Sequence, residues 1–370
     1  MVKIVSIAAL RPDLIRMSLY LNEMDKQLGK NHIFGVTGQV YSDNLYGIFL
    51  EQLGLRQPNF NLKIGSGTYN EMQARILERL PAELEKIKPD AVVILGDNTS
   101  AVGLALAVSN MGIPLIHIEG GMRCFDKSVP EERNRPVIDS LANLNLCYHA
   151  LHRENLVMEG YPADRAIVVG NLITDVVQGF MPYMNRNVLP KGKYFLATIH
   201  RNETVTNKSI FEGIIRALRN LKHPVIFPMF PKTMQKLKEF KLWGLVTKNK
   251  SNIIPLEPQG YLEMLALMKH AEVVLSDSGS IPEECAILGV PCISVRDCTE
   301  RQELLDAGTM VLSGRTAQKI IKTVAVKHPP TNPYLSNPTK RTVEAVLNNL
   351  ELVKTPRTGY VDARKRRSFV

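Results

Sequence analysis

Carboxylates in the first half of the chain, and hydroxyls and cations in the second, are the residues best suited to chemistry. Asp97 lies in Gly96-Asp97-Asn98-Thr99-Ser100, Glu119 in Glu119-Gly120-Gly121-Met122-Arg123, and Glu131 and Glu132 in Val129-Pro130-Glu131-Glu132-Arg133-Asn134-Arg135. Carboxylates gathered in one place shift one another's pKa values, so that one serves as a base while another stays protonated as an acid. Each also has a plainer reading: Asp97 caps a helix starting near Ala101, Glu131 and Glu132 are first-turn acids behind Pro130, and Glu119 is a solvated turn residue. In the second half, Ser276-Asp277-Ser278-Gly279-Ser280-Ile281-Pro282-Glu283-Glu284 follows an apolar strand and opens a helix. Unpaired N–H groups at such a start, with the helix dipole, hold a phosphate, and Glu284, about one turn further in, is placed to accept from a ribose. The plainer alternative is that the Ser278 hydroxyl caps the helix and nothing binds. His200 and Arg201 in His200-Arg201-Asn202-Glu203, with Arg301, Arg11 and Arg16, suit a diphosphate, whose charge needs several donors at once. Acid/base chemistry on one half and nucleotide binding on the other is the division these types suggest.

Other motifs carry less. Gly65-Ser66-Gly67-Thr68-Tyr69-Asn70 begins like a dinucleotide-binding loop but lacks the third glycine. His149 and His152 are three apart with no further ligand beside them, which argues against zinc. No Walker A sequence occurs, so ATP-driven chemistry has no support.

The elements that must position these residues follow a βα pattern. Apolar runs of strand length alternate with amphipathic stretches of helix length, as around parallel sheets, and the fold class is α/β with two doubly wound parallel-sheet domains. Strands are expected at Lys3 to Ala8, His32 to Thr37, Ala91 to Leu95, Pro114 to Ile118, Leu144 to Tyr148 and Ala166 to Val169, with helices such as Tyr69 to Arg79 and Ala101 to Asn110 between them. A second series is expected at Tyr194 to Ile199, Pro224 to Phe227, Asn252 to Leu256, Val273 to Ser276, Cys292 to Val295 and Met310 to Leu312. The proline-bracketed Met181 to Pro190 segment reads as a linker. Residues 1–178 and 179–354 then form the two domains, with 355–370 packed on the first and the Lys340 to Lys354 helix crossing back toward it. Two such domains side by side leave a cleft at the carboxyl ends of both sheets, where ligands of these folds bind.

Length and composition agree. At 370 residues the chain exceeds one ordinary core. Hydrophobic content of 45% and charged content of 22% are those of a soluble globular protein, with no apolar run approaching a membrane span. The N-terminus reads as a strand and not a secretory signal, which makes a cytoplasmic location the default. Five cysteines without CxxC spacing favour buried reduced thiols. The net charge of +10 is scattered except in Arg364-Lys365-Arg366-Arg367, so nucleic acid is not an expected partner.

With these residues in view, the chain resembles the non-hydrolysing UDP-N-acetylglucosamine 2-epimerases, which have a two-lobed glycosyltransferase-B type fold. The resemblance runs nearly end to end. It rests on Arg11-Pro12, Thr37-Gly38-Gln39, Gly96-Asp97, His117-Ile118-Glu119-Gly120-Gly121-Met122-Arg123, Pro130-Glu131-Glu132 with Asn134-Arg135, Gly170-Asn171, His200-Arg201, Asp277-Ser278-Gly279, Glu283-Glu284, and Arg296-Asp297 with Thr299-Glu300-Arg301. It implies loss of the C2 proton and of UDP from C1, an enzyme-bound 2-acetamidoglucal, and return of UDP after reprotonation on the other face. By position it implies Asp97, Glu119 and Glu131 as acid/base carboxylates, with His200 in the catalytic set and also on the diphosphate. Arg11, Arg16, Arg201 and the Ser278-Gly279-Ser280 turn would hold substrate, Glu284 the ribose and Arg301 the sugar or phosphate side. The implied substrate is a UDP-N-acetylhexosamine and the implied assembly a homodimer. No metal or redox cofactor is implied.

Several positions depart from the family pattern. Arg16 stands where a lysine is common, Asn202 replaces an arginine, and Ser280 replaces a glycine. The usual Thr-Gly-Gln-His is Thr37-Gly38-Gln39-Val40, which argues against the allosteric second UDP-sugar of some members. The short Arg123 to Pro130 loop is more like relatives acting on modified sugars, such as UDP-N-acetyl-L-talosamine to UDP-N-acetyl-L-fucosamine. A hydrolysing epimerase, a glycosyltransferase of the same fold and a non-catalytic sugar-nucleotide binder are the competing readings.

Overall fold

In the computed structural model, residues 2–39, 50–247, 251–326 and 329–355 are described. The chain divides into two compact units, one running to Leu172 and resuming at Leu335, the other spanning Ile173–Tyr334.

The first unit is built on a seven-stranded sheet: β1 (Ile4–Ala8), β2 (His32–Val36), β3 (Phe60–Asn61), β4 (Ala91–Leu95), β5 (Leu115–Ile118), β6 (Leu144–Cys147) and β7 (Ala166–Val168). Every pairing is parallel, in the order β3-β2-β1-β4-β5-β6-β7. The strands at the centre, β1 and β4, are buried at every position. Covering by helices on both faces makes β4 a continuous apolar run, and β1 one broken only by Ser6, whose buried hydroxyl meets Tyr20 and His32. The two-residue β3 has no such run and was not expected from sequence. One covering helix, Tyr69–Ile87, starts at a capping box in which Thr68 and Glu71 exchange backbone-to-side-chain hydrogen bonds. It runs through Pro81 because Met72, Ile76, Leu80 and Leu84 keep one apolar stripe on the core.

The second unit repeats the plan with β8 (Phe195–Thr198), β9 (Val225–Pro228), β10 (Ile253–Leu256), β11 (Val273–Ser276), β12 (Cys292–Ser294) and β13 (Met310–Leu312). Their order is β10-β9-β8-β11-β12-β13, again all parallel. The strand order reverses between β1 and β4 in the first sheet and between β8 and β11 in the second, and a reversal of this kind opens a crevice beyond the carboxyl ends.

The division of units falls before the Ile173–Phe180 helix, so the Met181 to Pro190 segment belongs to the second unit, where Asn185 donates to Glu263. The expected Lys340 to Lys354 helix is two, Pro338–Asn348 and Leu350–Lys354. The first packs on the Arg11–Leu28 helix, and Lys354 Nζ pairs with Asp90 Oδ1 at 3.0 Å, which puts this segment in the first unit. Val40, residues 356–370 and their basic run lie outside the described residues.

Candidate active site

The parallel first sheet brings the segments after β1, β4 and β5 to one edge. The Arg11–Leu28 helix begins with Arg11-Pro12-Asp13, and the Asp13 carboxylate Oδ2 accepts the Leu10 N–H at 2.8 Å and the Asn98 amide at 3.2 Å. Three residues on, Arg16 Nη1 donates to Glu119 Oε1 at 2.9 Å, and both side chains are buried. Between them runs the Gly96 turn, with φ of +88°. A Cβ built there would stand 3.6 Å from Asp13 Oδ1, 3.8 Å from Asn98 Nδ2 and 3.8 Å from Glu119 Oε2, so the three groups close over this glycine.

Asp97 follows, its Oδ2 accepting from Arg135 Nε at 2.8 Å and its carbonyl from Asn134. Asn98, not Asp97, caps the Thr99–Asn110 helix, through the Ala101 N–H. The Asp97 side chain keeps 25% exposure. Glu131 and Glu132 part company on the Pro130–Leu141 helix: Glu132 accepts the Cys124 and Phe125 N–H groups and pairs with Arg135, a structural task. Glu131 Oε2 is buried with no hydrogen-bond partner among the described residues. A buried carboxylate oxygen left so is costly and suits a ligand's donor.

Glu119 sits at φ +84°, a region L-residues other than glycine rarely occupy, at a strain of about 1–3 kcal/mol. The surroundings hold it there. The Glu119 and Gly120 N–H groups both donate to the Leu146 carbonyl, and an added Cβ at Gly120 would meet Asn145 at 2.7 Å. Behind the turn, buried Asp139 accepts from Gly121 N–H at 3.2 Å and pairs with His117 Nδ1 and Arg123 Nη1, each at 2.8 Å. His117 Nε2 reaches the Gly96 carbonyl at 2.9 Å. A carbonyl and a carboxylate both accept, so both ring nitrogens carry protons and His117 is a buried imidazolium. Burial opposes that charge, but the Asp139 hydrogen bond and charge, the Gly96 carbonyl and Glu119 outweigh it and raise the pKa. Arg123 completes the frame by gripping Glu159 with Nε and Nη2 at 2.7 and 2.6 Å.

Asp13 is the residue sequence reasoning missed. Burial pushes its carboxyl up to about 7, with Glu119 and Asp97 adding to the rise and the Leu10 N–H and Arg16 opposing it. An acid at the third position of a helix reads from sequence as a cap, which this one also is.

The second unit gathers its cluster around buried Asp277, which follows β11. Its carboxylate accepts the N–H groups of His200 at 3.0 Å and Arg201 at 2.9 Å. Asp277, too, was not among the expected site residues. The His200 ring lies 5.1 Å from that of Phe230, with Nδ1 3.6 Å from Asp277 Oδ1. Thr198 and Ser276 are cross-strand partners with hydroxyls 2.7 Å apart, and Ser276 Oγ accepts the Ser278 N–H. Ser278 Oγ accepts the Ser280 N–H at 3.3 Å, so part of the capping reading holds within the turn. The helix itself is Ile281–Leu288, and the Ser280 side chain does not cap it. Gly279 is crowded: a Cβ there would lie 2.7 Å from Glu300 Oε1 and 3.5 Å from Arg201 Nη2, so the Glu300 carboxylate would have to shift. Glu284 is buried in the first turn, beside Glu283, whose Oε1 pairs with Arg301 Nε at 2.8 Å. Arg301 thus lies in the interior of the second unit, matched to a buried carboxylate. Arg11 is exposed at its helix start, and Arg201 Nη1 pairs with Glu203 at 3.2 Å.

Cys147, Cys285 and Cys292 are buried, Cys124 and Cys298 partly exposed, and none of the five is in a disulfide. Among the described residues, no group of three or more His, Cys, Asp or Glu side chains has the arrangement of a metal site, and no helix is long and apolar enough to cross a membrane.

Comparison with known proteins gives consistent likenesses. A family profile described as UDP-N-acetylglucosamine 2-epimerase matches residues 22–343. The UDP-N-acetylglucosamine 2-epimerase of Methanocaldococcus jannaschii is 38% identical over 337 residues, covering 88% of this chain and 92% of that one. The protein of the same name from Methanococcus maripaludis is 36% identical over 353 residues, covering 91% and 94%. The crystal structure of the M. jannaschii enzyme in complex with UDP-GlcNAc and UDP matches with a TM-score of 0.84 over 94% of this chain and 99% of that one.

Proposed function

The chain belongs to the UDP-N-acetylglucosamine 2-epimerase family, and on that premise we propose that it is an isomerase interconverting UDP-N-acetylglucosamine and UDP-N-acetylmannosamine. The observation that carries the mechanism is the convergence of Asp13, Glu119 and Asn98 over the Gly96 turn, with Asp97 next in the chain. In this reading a carboxylate takes the C2 proton, the C1–O bond to UDP breaks with its electron pair leaving on UDP, and a C1=C2 double bond forms. A carboxylic acid then returns a proton to the opposite face of C2 as UDP adds back at C1.

Two faces need two proton-transfer groups, which supports dividing the task among Asp97, Glu119 and Glu131. The C2 hydrogen has no adjacent carbonyl to acidify it, so departure of UDP, which leaves as a trianion once the C1–O pair stays on it, must supply much of the driving force. Arg11, Arg16, Arg201, His200 and the Ser278-Gly279-Ser280 turn are assigned to the diphosphate, where charge-assisted donors are strongest. Glu284 is assigned to the ribose. Arg301, whose Nε faces Glu283, is assigned to the sugar or phosphate side. A homodimer, which rests on family likeness, and a cytoplasmic location belong to the same reading. The modified-sugar alternative is not favoured, because the relatives compared above carry the UDP-N-acetylglucosamine name.

NMR of UDP-N-acetylglucosamine with the protein in heavy water tests this. The expected result is UDP-N-acetylmannosamine carrying deuterium at C2. Absence of deuterium there sinks the epimerase, and release of free N-acetylmannosamine means a hydrolysing enzyme. Asp97→Asn, Glu119→Gln and Glu131→Gln should each bind UDP yet lose turnover by roughly a hundredfold or more.

A further inference from the structure

Asp13 has more than a capping role. Its Oδ2 already accepts two N–H groups, from Leu10 and Asn98, while Oδ1 faces the space over Gly96 that Glu119 Oε2 also faces. The charged groups around it are Arg16 on its own helix, Glu119 after β5 and Asp97 after β4. Arg135 pairs with Asp97, and Arg16 is bonded to Glu119. Arg16, the cation acting on Asp13, is thus already bonded to Glu119, which the His117 charge also faces, and two carboxylates so placed in a buried site do not both ionise cheaply.

We propose that Asp13 is a positioning residue for the acid/base set: it fixes Asn98 and the Gly96 turn, and when an anionic UDP-sugar binds it takes up a proton on Oδ1, which leaves Glu119 as the ionised partner of Arg16. The proposal rests on the functional reading above. Above neutral pH the free protein carries an extra negative charge on the helix that bears Arg11 and Arg16, since burial has brought the Asp13 carboxyl to about 7. Binding a dianion there favours the protonated form, and by linkage a proton is taken from solvent. A purely structural cap accepts the same two N–H groups without any such uptake.

Asp13→Asn separates the two roles, because the amide oxygen accepts both N–H groups while nothing at the position titrates. The measurement is calorimetric binding of UDP-N-acetylglucosamine, whose diphosphate diester does not titrate near neutrality, in two buffers of different ionisation enthalpy at pH 8. Wild type should take up about one-half to one proton per ligand, and Asp13→Asn close to none. Asp13→Asn should also bind more tightly than wild type at pH 8, by several-fold, and equally at pH 6. Equal proton uptake by the two proteins overturns the proposal, as does zero uptake by wild type, which needs no variant at all. Binding without uptake leaves the epimerase reading standing, whereas no binding by wild type removes both.

Discussion

Replacing Asp139 by asparagine should weaken the first unit in a way that depends on pH with a definite sign. Asp139 is buried and holds His117 Nδ1 and Arg123 Nη1, each at 2.8 Å, as well as the Gly121 N–H. Its own carboxyl is held below the ordinary range: burial alone would raise it, but His117 and Arg123 outweigh that. Breaking a buried pair by removing one charge costs about 3–5 kcal/mol, because the partner is left uncompensated. Arg123 keeps Glu159 and the Met122 carbonyl, so the lower end, about 3 kcal/mol, is expected. For a unit of this size that is a fall in Tm of about 6–12 °C.

The sign follows from His117. Its pKa is raised in the folded protein, so its contribution is fully present below the unfolded value near 6.5 and is lost as pH rises through the folded value. In Asp139→Asn the hydrogen bond and charge of Asp139, the strongest influences opposing burial, are gone and only the Gly96 carbonyl and Glu119 remain, so the ring becomes neutral and Nδ1 can accept from the new amide. The gap between wild type and variant should therefore be widest near pH 6 and narrow at alkaline pH. The acid limb due to Asp139 itself lies below its unfolded value near 3.8, well clear of that window. Thermal melts of both proteins from pH 5.5 to 9 are the assay. A constant gap, or none, would refute the assignment of His117 as a buried imidazolium.

Three further outcomes are expected. Gly121→Ala should cost more than about 3 kcal/mol, since φ is +83° and the new Cβ would sit 2.0 Å from the His152 carbonyl oxygen; Gly112→Ala, at φ +67° with open space, should cost about 1 kcal/mol. Comparable losses in the two by denaturant titration would contradict the steric argument. Asp277→Ala leaves the His200 and Arg201 N–H groups without their acceptor and should weaken UDP binding about tenfold, read by calorimetry, with an unchanged Kd counting against a role in shaping that segment. Tyr334→Phe removes the hydroxyl that donates to buried Glu303 at 2.8 Å and should lower stability of the second unit by about 1 kcal/mol; a neutral result in its melting transition would show the contact to be worth little.

How far the sequence reaches depends on whether a signal is local. Strands such as Ala91–Leu95 and Val273–Ser276 were legible to the residue because a buried parallel strand must be a short unbroken apolar run between polar turns. The end of the Tyr69–Ile87 helix was not, since Pro81 and the charged residues around it suggest a stop while only the apolar stripe reveals that packing carries the helix on. The candidate site divides along the same line. Asp97, Glu119, His200 and Ser278 stand directly after strands, where chemistry on this fold collects, and that much is visible in one dimension. Asp13 and Asp277 look like ordinary capping and turn acids, and their importance lies in neighbours that are 106 and 77 residues distant in sequence, Glu119 and His200. Arg301 shows the converse. Its sequence context reads as a free cation for a ligand, and only the fold supplies Glu283 as its partner.

The repeated topology sharpens what separates a catalytic candidate from a structural residue. Each sheet reverses order at its first and fourth strands in sequence, and each puts an aspartate just beyond that fourth strand: Asp97 after β4 and Asp277 after β11. The backbone plan is the same, but the surroundings are not. Asp277 has a side chain with no exposure and spends its oxygens on two backbone N–H groups, so it is held as an acceptor within the unit. Asp97 keeps a quarter of its side chain exposed, is gripped by Arg135 through Oδ2, and stands within electrostatic reach of Asp13. A proton-transferring group needs an oxygen that can reach the substrate, and of these two aspartates it is Asp97 whose side chain keeps exposure. The same comparison accords with the assignment proposed above for the second unit, where serine hydroxyls, a crowded glycine and His200 at the equivalent edge would hold an anion without deprotonating it.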